Sequence, residues 1–360
     1  MNDDLAALFT ELGAVKAMPA DDSVLHFGNP NDEYTAARER AVVVDRSNRG
    51  KLRFTGEDCV PFLHGMLTNT VQGLSKGSGN HSALTDVKGN TQADFWLHRV
   101  QEGVRVETEP GIQEKIAAFL DRYIIADDVE IKDETDNVGI ISVQGPESQV
   151  IVERLVGSPV KLDLNGNVMV DSVTGVEFLA RRSYTGEDGY DLWVKAADTA
   201  NVFRGLMEAG AVPAGQHVLE ILRVESGVPR YGLDVDDRVV PLEGGLADTV
   251  DFTKGCFIGQ EVLGKMKNIG KPRRYMVGIL LEGLLPPETE LSLDGKVVGL
   301  VKSSAQSLTL GRTIGLASVR RGAEEPGTRF TVENGGTAEV ALLPFVEGKS
   351  LTINDLNVSS

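Results

Sequence analysis

Ala93-Asp-Phe-Trp-Leu-His-Arg-Val100, followed by Val104-Arg-Val-Glu-Thr108, is the stretch that decides the fold class. Aromatic and β-branched residues mark both runs, and the short polar gap between them predicts two neighbouring strands. Strand character is also expected around the Lys88-Gly89 turn just upstream. Downstream, a helix is expected from Gln113 to Tyr123 and a strand at Val129-Glu-Ile131. Strands mixed with helices, without regular βαβ alternation, indicate an α+β protein and not a doubly wound sheet.

Working outward, Ala41-Val-Val-Val44 and Lys51-Leu-Arg-Phe54 are expected strands enclosing Asp45 to Gly50. Helices are expected over Leu5 to Leu12, where Leu5, Leu8, Phe9 and Leu12 share a face, and over Asn31 to Glu39. Thr55-Gly-Glu-Asp58 has the pattern of a capping box opening a helix through Leu67, with Cys59 in its first turn. Beyond the central stretch, Ile140-Ile-Ser-Val143 precedes a helix ending at Val156, and Ala180-Arg-Arg182 leads through Ser183-Tyr-Thr-Gly-Glu-Asp-Gly-Tyr190 into Asp191-Leu-Trp-Val194. A helix over Val218 to Glu225 reaches a turn at Ser226 to Gly232, followed by an acidic patch at Asp234, Asp236 and Asp237. From Tyr275 the texture changes to short alternating strands. Asp294-Gly295 and Asn334-Gly335 have the chemistry of tight hairpin turns, which need positive φ. A small all-β barrel or jelly roll is therefore expected at the C-terminus. The expected division is 1–272, 273–346 and a polar tail over 347–360.

Length and composition fit this division. A chain of 360 residues suggests two or three domains, and 41% hydrophobic with 25% charged residues is ordinary for a folded globular protein. Two distant cysteines, Cys59 and Cys256, make neither a disulfide framework nor a metal cage, and no metal ligands are assigned. The acidic N-terminal residues and the lack of a long apolar run lead us to expect a cytoplasmic protein without membrane attachment. A net charge of −17 opposes nonspecific binding to DNA, RNA or anionic lipid. Any anionic ligand must meet a local basic region, and Lys254, Lys265, Lys267, Lys271, Arg273 and Arg274 supply one.

Several residue groups carry candidate chemistry. Lys254-Gly-Cys-Phe-Ile-Gly-Gln-Glu261 sets a thiol between glycines, beside a cation, a carboxamide and a carboxylate; a tight turn with Cys256 as a small hydrophobe is the simpler reading. Asp94, on a strand, is a candidate proton-exchanging carboxylate or else a strand-edge acid facing water. Glu187 lies on a glycine-flanked turn with Tyr184 and Tyr190. A carboxylate there is able to accept two parallel hydrogen bonds from a flat heterocycle while aromatic rings sandwich it. Arg223 is suited to a ligand carboxylate or to an ion pair with Glu220. Dinucleotide, P-loop, HExxH and CxxC patterns are missing, and the five histidines are scattered.

Ordered motifs resemble the folate-binding superfamily of the glycine-cleavage T-protein. They are Leu52 to Asp58 with Phe62-Leu63 and Leu67-Thr-Asn69, the Thr85 to Gly89 turn before Asp94, Ser183 to Tyr190, and Leu222 to Gly227 with Pro229 and Tyr231-Gly232. The C-terminal Gly299 to Ser303, Ile314 to Ala317 and Leu343-Pro-Phe345 complete the set. The resemblance implies a cloverleaf of two interleaved α+β domains plus a C-terminal β-barrel, with tetrahydrofolate in a central channel. It implies Asp94 near the reactive nitrogens, Glu187 at the pterin and Arg223 facing the folate tail, with Tyr184, Tyr190, Tyr231 and Lys254 on the cofactor side. Two departures stand out: Ala93 where such proteins often carry the first of two aspartates, and His98 where a tyrosine is common. The Lys254–Glu261 string is similar to that of the YgfZ-type branch. It implies an accessory protein supporting iron–sulfur enzymes and, through them, tRNA modification, with iron–sulfur client or scaffold proteins as partners and Cys256 as its working thiol. The alternative is a folate-dependent aminomethyltransferase or methyltransferase in which Asp94 handles protons and Cys256 is structural.

Overall fold

A computed structural model of the protein describes residues 2–18, 21–170, 174–268, 270–333 and 335–351. Its fold is α+β. One lobe is built on a six-stranded sheet ordered Asn167–Met169, Val176–Arg181, Gly189–Lys195, Val138–Gln144, Val42–Asp45 and Val212–Pro213. Only the last pair runs parallel. Helices Asp3–Glu11, Ser148–Val156 and Thr199–Glu208 cover one face of this sheet through Leu5, Phe9, Ile151, Val152, Phe203 and Leu206. A second lobe has five antiparallel strands ordered Gly79–Thr85, Thr91–Arg99, Val104–Thr108, Gly50–Thr55 and Glu130–Asp133. Helices Cys59–Met66 and Gln113–Asp121 close its core with Leu63, Ile116 and Leu120.

The lobes interleave. After Val42–Asp45 the chain crosses to the five-stranded sheet at Gly50, completes it at Asp133 and returns to the six-stranded sheet at Val138. The crossing segment, Arg46 to Arg49, therefore lies where the lobes meet. A closed six-stranded barrel follows, from Arg274–Leu281 to Thr337–Ala341. Helices Pro30–Glu39 and Gln216–Glu225 join the barrel to the first lobe, with Tyr34, Leu219 and Leu222 packed against Ile314 and Leu316. Among the described residues no helix is long and apolar enough to cross a membrane.

Some local expectations need correction. No capping box forms at Thr55 to Asp58: the helix begins at Cys59, and its N-cap Asp58 makes no side-chain cap bond. Asp58 instead accepts from the Asp128 amide at 2.9 Å, while Asp128 accepts from the Glu57 amide at 3.0 Å, so this turn pins the edge of the sheet. Asp234 does not belong to a solvated acidic patch, being buried against Arg223 and Ser303. The Asp294-Gly295 turn has φ of 51° and 75°, the pattern a tight hairpin requires. Asn334 of the other hairpin signal and residues 352–360 of the polar tail lie outside the described residues.

Candidate active site

Side chains alternate across a strand, and this period builds the site. In Thr91–Arg99, Ala93, Phe95 and Leu97 enter the apolar core of the second lobe, so Asp94, Trp96 and His98 face the opposite way. In Val104–Thr108, Val104 and Val106 enter that core while Arg105 and Glu107 share the other face. Across from them, Tyr190, Leu192 and Val194 join the core of the first lobe, which leaves Asp191 and Trp193 on the reverse face. The crossing segment adds Arg46 and Arg49. Together with Arg182 and Tyr184, these residues form a polar seam between the two sheets.

Glu107 is the centre of that seam. It is fully buried and pairs with Arg182, with Arg49 Nε at 2.6 Å and with Arg46 at 3.7 Å. Burial raises its carboxyl pKa, but the guanidinium groups of Arg182, Arg49 and Arg46 outweigh burial and hold it well below the usual carboxylate range. Neighbouring Asp191 is shifted the other way, first by burial and then by the Glu107 charge. Tyr184 packs on Arg46 and Arg182, whose guanidinium carbons sit 3.3 and 4.1 Å from its ring centroid. Its hydroxyl donates to Asp191 at 2.5 Å. Tyr190 points into the first lobe's core, because it is one residue out of phase with Asp191.

Asp94 marks one end of the seam. His81, on the adjacent strand, donates from Nε2 to Asp94 Oδ2 at 2.8 Å and from Nδ1 to Asp248 Oδ2 at 3.0 Å. Its ring stacks on Trp96 at 4.6 Å and 4°. Burial lowers the His81 pKa, but the two carboxylates, Asp248 foremost, prevail and raise it to about 9, so the ring is an imidazolium at neutral pH. Arg182 lies over the Trp96 ring at 4.4 Å and links this end to Glu107. Asp94 Oδ1 is buried and has no protein partner among the described residues. His98, further along, is also buried, and its pKa falls to about 3 chiefly because burial disfavours the charged ring. Both His98 nitrogens, Asp191 Oδ1, Arg182 Nε and Trp193 Nε1 likewise lack partners among the described residues. Buried polar atoms are ordinarily satisfied, so this concentration along one seam fits a polar ligand or water.

Glu187 marks the other end. Fully buried, it accepts from Arg38 Nη1 at 3.1 Å through Oε1. Oε2 accepts from the amides of Lys349 and Ser350 at 2.8 and 3.1 Å and from the Ser350 hydroxyl at 2.9 Å. Arg38 also pairs with Glu225, which receives the hydroxyls of Tyr34 at 2.8 Å and Ser307 at 2.5 Å. The turn Ser183 to Tyr190 thus carries Tyr184 in the middle of the seam and Glu187 at its end.

The remaining expected residues have protein partners. Arg223 pairs with Glu220 and with Asp234 at 2.6 Å, and also donates to Ser303 at 2.6 Å, so the ion-pair reading describes it. Tyr231 receives Lys115 Nζ on its hydroxyl at 2.9 Å. Lys254 donates to the carbonyls of His64, Leu67 and Asn69, fastening its loop to the end of helix Cys59–Met66. Burial lowers its pKa to about 8. Gly259 has φ of 82°, and a Cβ there would stand 2.7 Å from the Asp86 carbonyl oxygen, so packing on the Thr85–Gly89 turn requires glycine. Phe257 is buried with Val250 and Leu263, whereas Cys256 is exposed. Sequence reasoning missed His81, Asp248, Glu107, Arg46, Arg49, Arg182 and Trp96. The available signal was period two, which sets Asp94, Trp96 and His98 on one face and Arg105 with Glu107 on another.

Two interleaved antiparallel lobes, a terminal barrel and an ionic seam with a carboxylate near each end define a three-part α+β class whose candidate site lies between its sheets. Within that class the chain belongs to the glycine cleavage T-protein family: residues 16–254 match the GCVT N-terminal domain, and residues 274–347 match the glycine cleavage T-protein C-terminal barrel domain. It is 33% identical over 362 residues to an aminomethyltransferase of Streptomyces avermitilis, covering 95% of this chain and 96% of the relative. It is also 33% identical over 321 residues to an aminomethyltransferase of Rubrobacter xylanophilus, covering 88% and 86%. The crystal structure of glycine cleavage system aminomethyltransferase T from Bartonella henselae superposes with a TM-score of 0.88 at 21% identity, over 97% of this chain and 99% of that one. That likeness speaks for the fold.

These relatives overturn the iron–sulfur accessory reading. Proteins named aminomethyltransferase match almost the whole chain, whereas that reading rested on eight residues. Three of the eight, Lys254, Phe257 and Gly259, are accounted for by packing and tethering.

Proposed function

We propose that this protein is a tetrahydrofolate-dependent aminomethyltransferase with its site in the seam. The observation that carries the reading is Asp94: His81 holds Oδ2 while Oδ1 is buried and unpartnered. A carboxylate so placed is able to accept a proton or an N–H group from a ligand without first breaking a protein contact. Its neighbour His81 keeps Asp94 oriented and supplies a compensating positive charge.

Tetrahydrofolate, when bound, supplies the nitrogen atoms that accept a one-carbon unit. Asp94 would face those nitrogens, and Glu187 would accept N–H groups of the heterocycle after release of the residue 349–350 contacts. Arg46 and Arg182 would border the space through their positions beside Tyr184. Arg223 would support the barrel contact and not the ligand, because its guanidinium is already shared by Glu220, Asp234 and Ser303. Assignment to the YgfZ-type branch is proposed on the Lys254–Glu261 string alone and adds no activity to this reading.

The test is direct. Purified protein is mixed with tetrahydrofolate and an aminomethyl-loaded lipoyl carrier, and one-carbon folate and ammonia are measured. Formation of both, lost in Asp94→Asn, is the expected result; no product above the protein-free rate would refute the activity.

A further inference from the structure

The barrel carries a second polar feature that the seam does not use. Arg274 and Arg320 are directly opposite on adjacent antiparallel strands. The pairing continues one step further, with the Arg321 amide donating to the Arg273 carbonyl at 2.9 Å. Arg273, Arg274, Arg320 and Arg321 border one surface pocket of about 380 Å³. The second pair lies just beyond the strand ends.

Like charges opposite each other across a strand pair are destabilising. Here two such pairs stand in sequence, in a chain whose acids exceed its bases by 17 charges. None of the four guanidinium groups makes an ion pair among the described residues. The carboxylates next to them are engaged by backbone amides: Glu243 accepts from the Arg273 amide at 2.6 Å, and Glu324 accepts from the Gly322 amide. The basic run near Lys254 therefore divides into two parts. Lys265 is matched by Glu261 at 2.6 Å, and Lys267 lies over Phe252, whereas Arg273 and Arg274 border one pocket with Arg320 and Arg321.

We infer that this pocket is a binding site for an anion with two linked phosphoryl groups. Guanidinium groups present forked donors that match phosphoryl oxygens. A single phosphoryl group carries about −1.5 to −2 charges at neutral pH and leaves four arginines underneutralised, whereas two linked groups balance them. Free diphosphate and the diphosphate of a nucleotide share this chemistry.

Isothermal titration of the full-length protein with inorganic pyrophosphate at constant ionic strength tests the site. Saturable 1:1 binding is expected, weakened at least tenfold in the Arg274→Gln/Arg320→Gln variant. Inorganic phosphate should bind more weakly than pyrophosphate. A parallel titration with ADP separates the sources: binding equal to or tighter than pyrophosphate supports a nucleotide, and weaker binding supports diphosphate itself. No saturable binding of either probe, or equal affinity in the variant, overturns the proposal. In anion-free buffer the variant should unfold at an equal or higher temperature than the parent, since it removes repulsion. A lower unfolding temperature there would identify the arginines as structural and likewise overturn it.

Discussion

Asp94 and Glu187 are both seam carboxylates on or beside β-strands, yet they are left in different states. Asp94 shares one oxygen with an imidazolium and keeps the other free of protein partners. Glu187 has both oxygens engaged, by Arg38 on one side and the 349–350 segment on the other. The difference teaches that a carboxylate's identity in a motif does not fix its role. Remaining acceptor capacity does, and on that measure Asp94 is open to a ligand while Glu187 holds the protein together until its partners leave.

The sharpest way to break this contrast is Glu187→Ala. Removing one member of a buried ion pair costs about 3–5 kcal/mol, because the partner charge is left behind. Denaturant unfolding should therefore show a loss toward the lower end of that range, because Arg38 keeps its pair with Glu225. Asp94→Asn should cost less, about 1 kcal/mol through its bond to His81, and instead lower one-carbon folate formation by about a hundredfold or more, the range for loss of a proton-transferring group. An Asp94→Asn protein that unfolds early and keeps its turnover would reverse the assignments.

His81 gives a pH-dependent test of the open end. Its folded pKa is raised from 6.5 to about 9, so its contribution is fully present below pH 6.5 and lost as pH rises through 9. Because Asp248 is nearly half exposed, about 1–2 kcal/mol is a reasonable share of that shift. Unfolding curves at pH 6 and pH 9.5 should differ by this amount in the parent and converge in His81→Gln. His98 runs the opposite way: its folded pKa is depressed to about 3, so stability falls as pH drops below 6.5. His98→Leu should flatten that acid limb by up to about 2 kcal/mol at pH 5. The smallest effect is expected from Ser350→Ala, which removes one of three donors to Glu187 Oε2. It should cost about 1 kcal/mol in unfolding and leave tetrahydrofolate affinity by calorimetry unchanged or tighter.

Much of the architecture was legible from residue pattern. The helix expected at Asn31 to Glu39 forms at Pro30–Glu39, the one expected at Val218 to Glu225 forms at Gln216–Glu225, and the alternation after Tyr275 closes as a barrel. The seam was harder to read because its members come from separated segments. Arg46 and Arg49 resemble loop residues until the crossing between sheets buries them. Glu107 resembles a solvent-facing strand residue until three arginines from the crossing segment and the first lobe surround it. Tyr190 was misleading for a local reason: its motif places it beside Glu187, but strand phase turns its ring into the core. The thiol string misled in the same manner, since Gly259 serves a close backbone approach and Lys254 serves three carbonyls.

The crossing at Arg46 to Arg49 has a consequence for how the chain can be cut. The Glu134 amide donates to the Lys51 carbonyl at 2.9 Å, so the five-stranded lobe leaves the chain at nearly the point where it entered. In connectivity it is an insert with adjacent ends, an arrangement that usually permits excision or grafting. Its charges do not permit it as readily: the excised piece would keep Glu107 and lose Arg182, and the remainder would keep Arg182 and lose its acid. Covalently the lobe is a removable loop; electrostatically it is half of a lock.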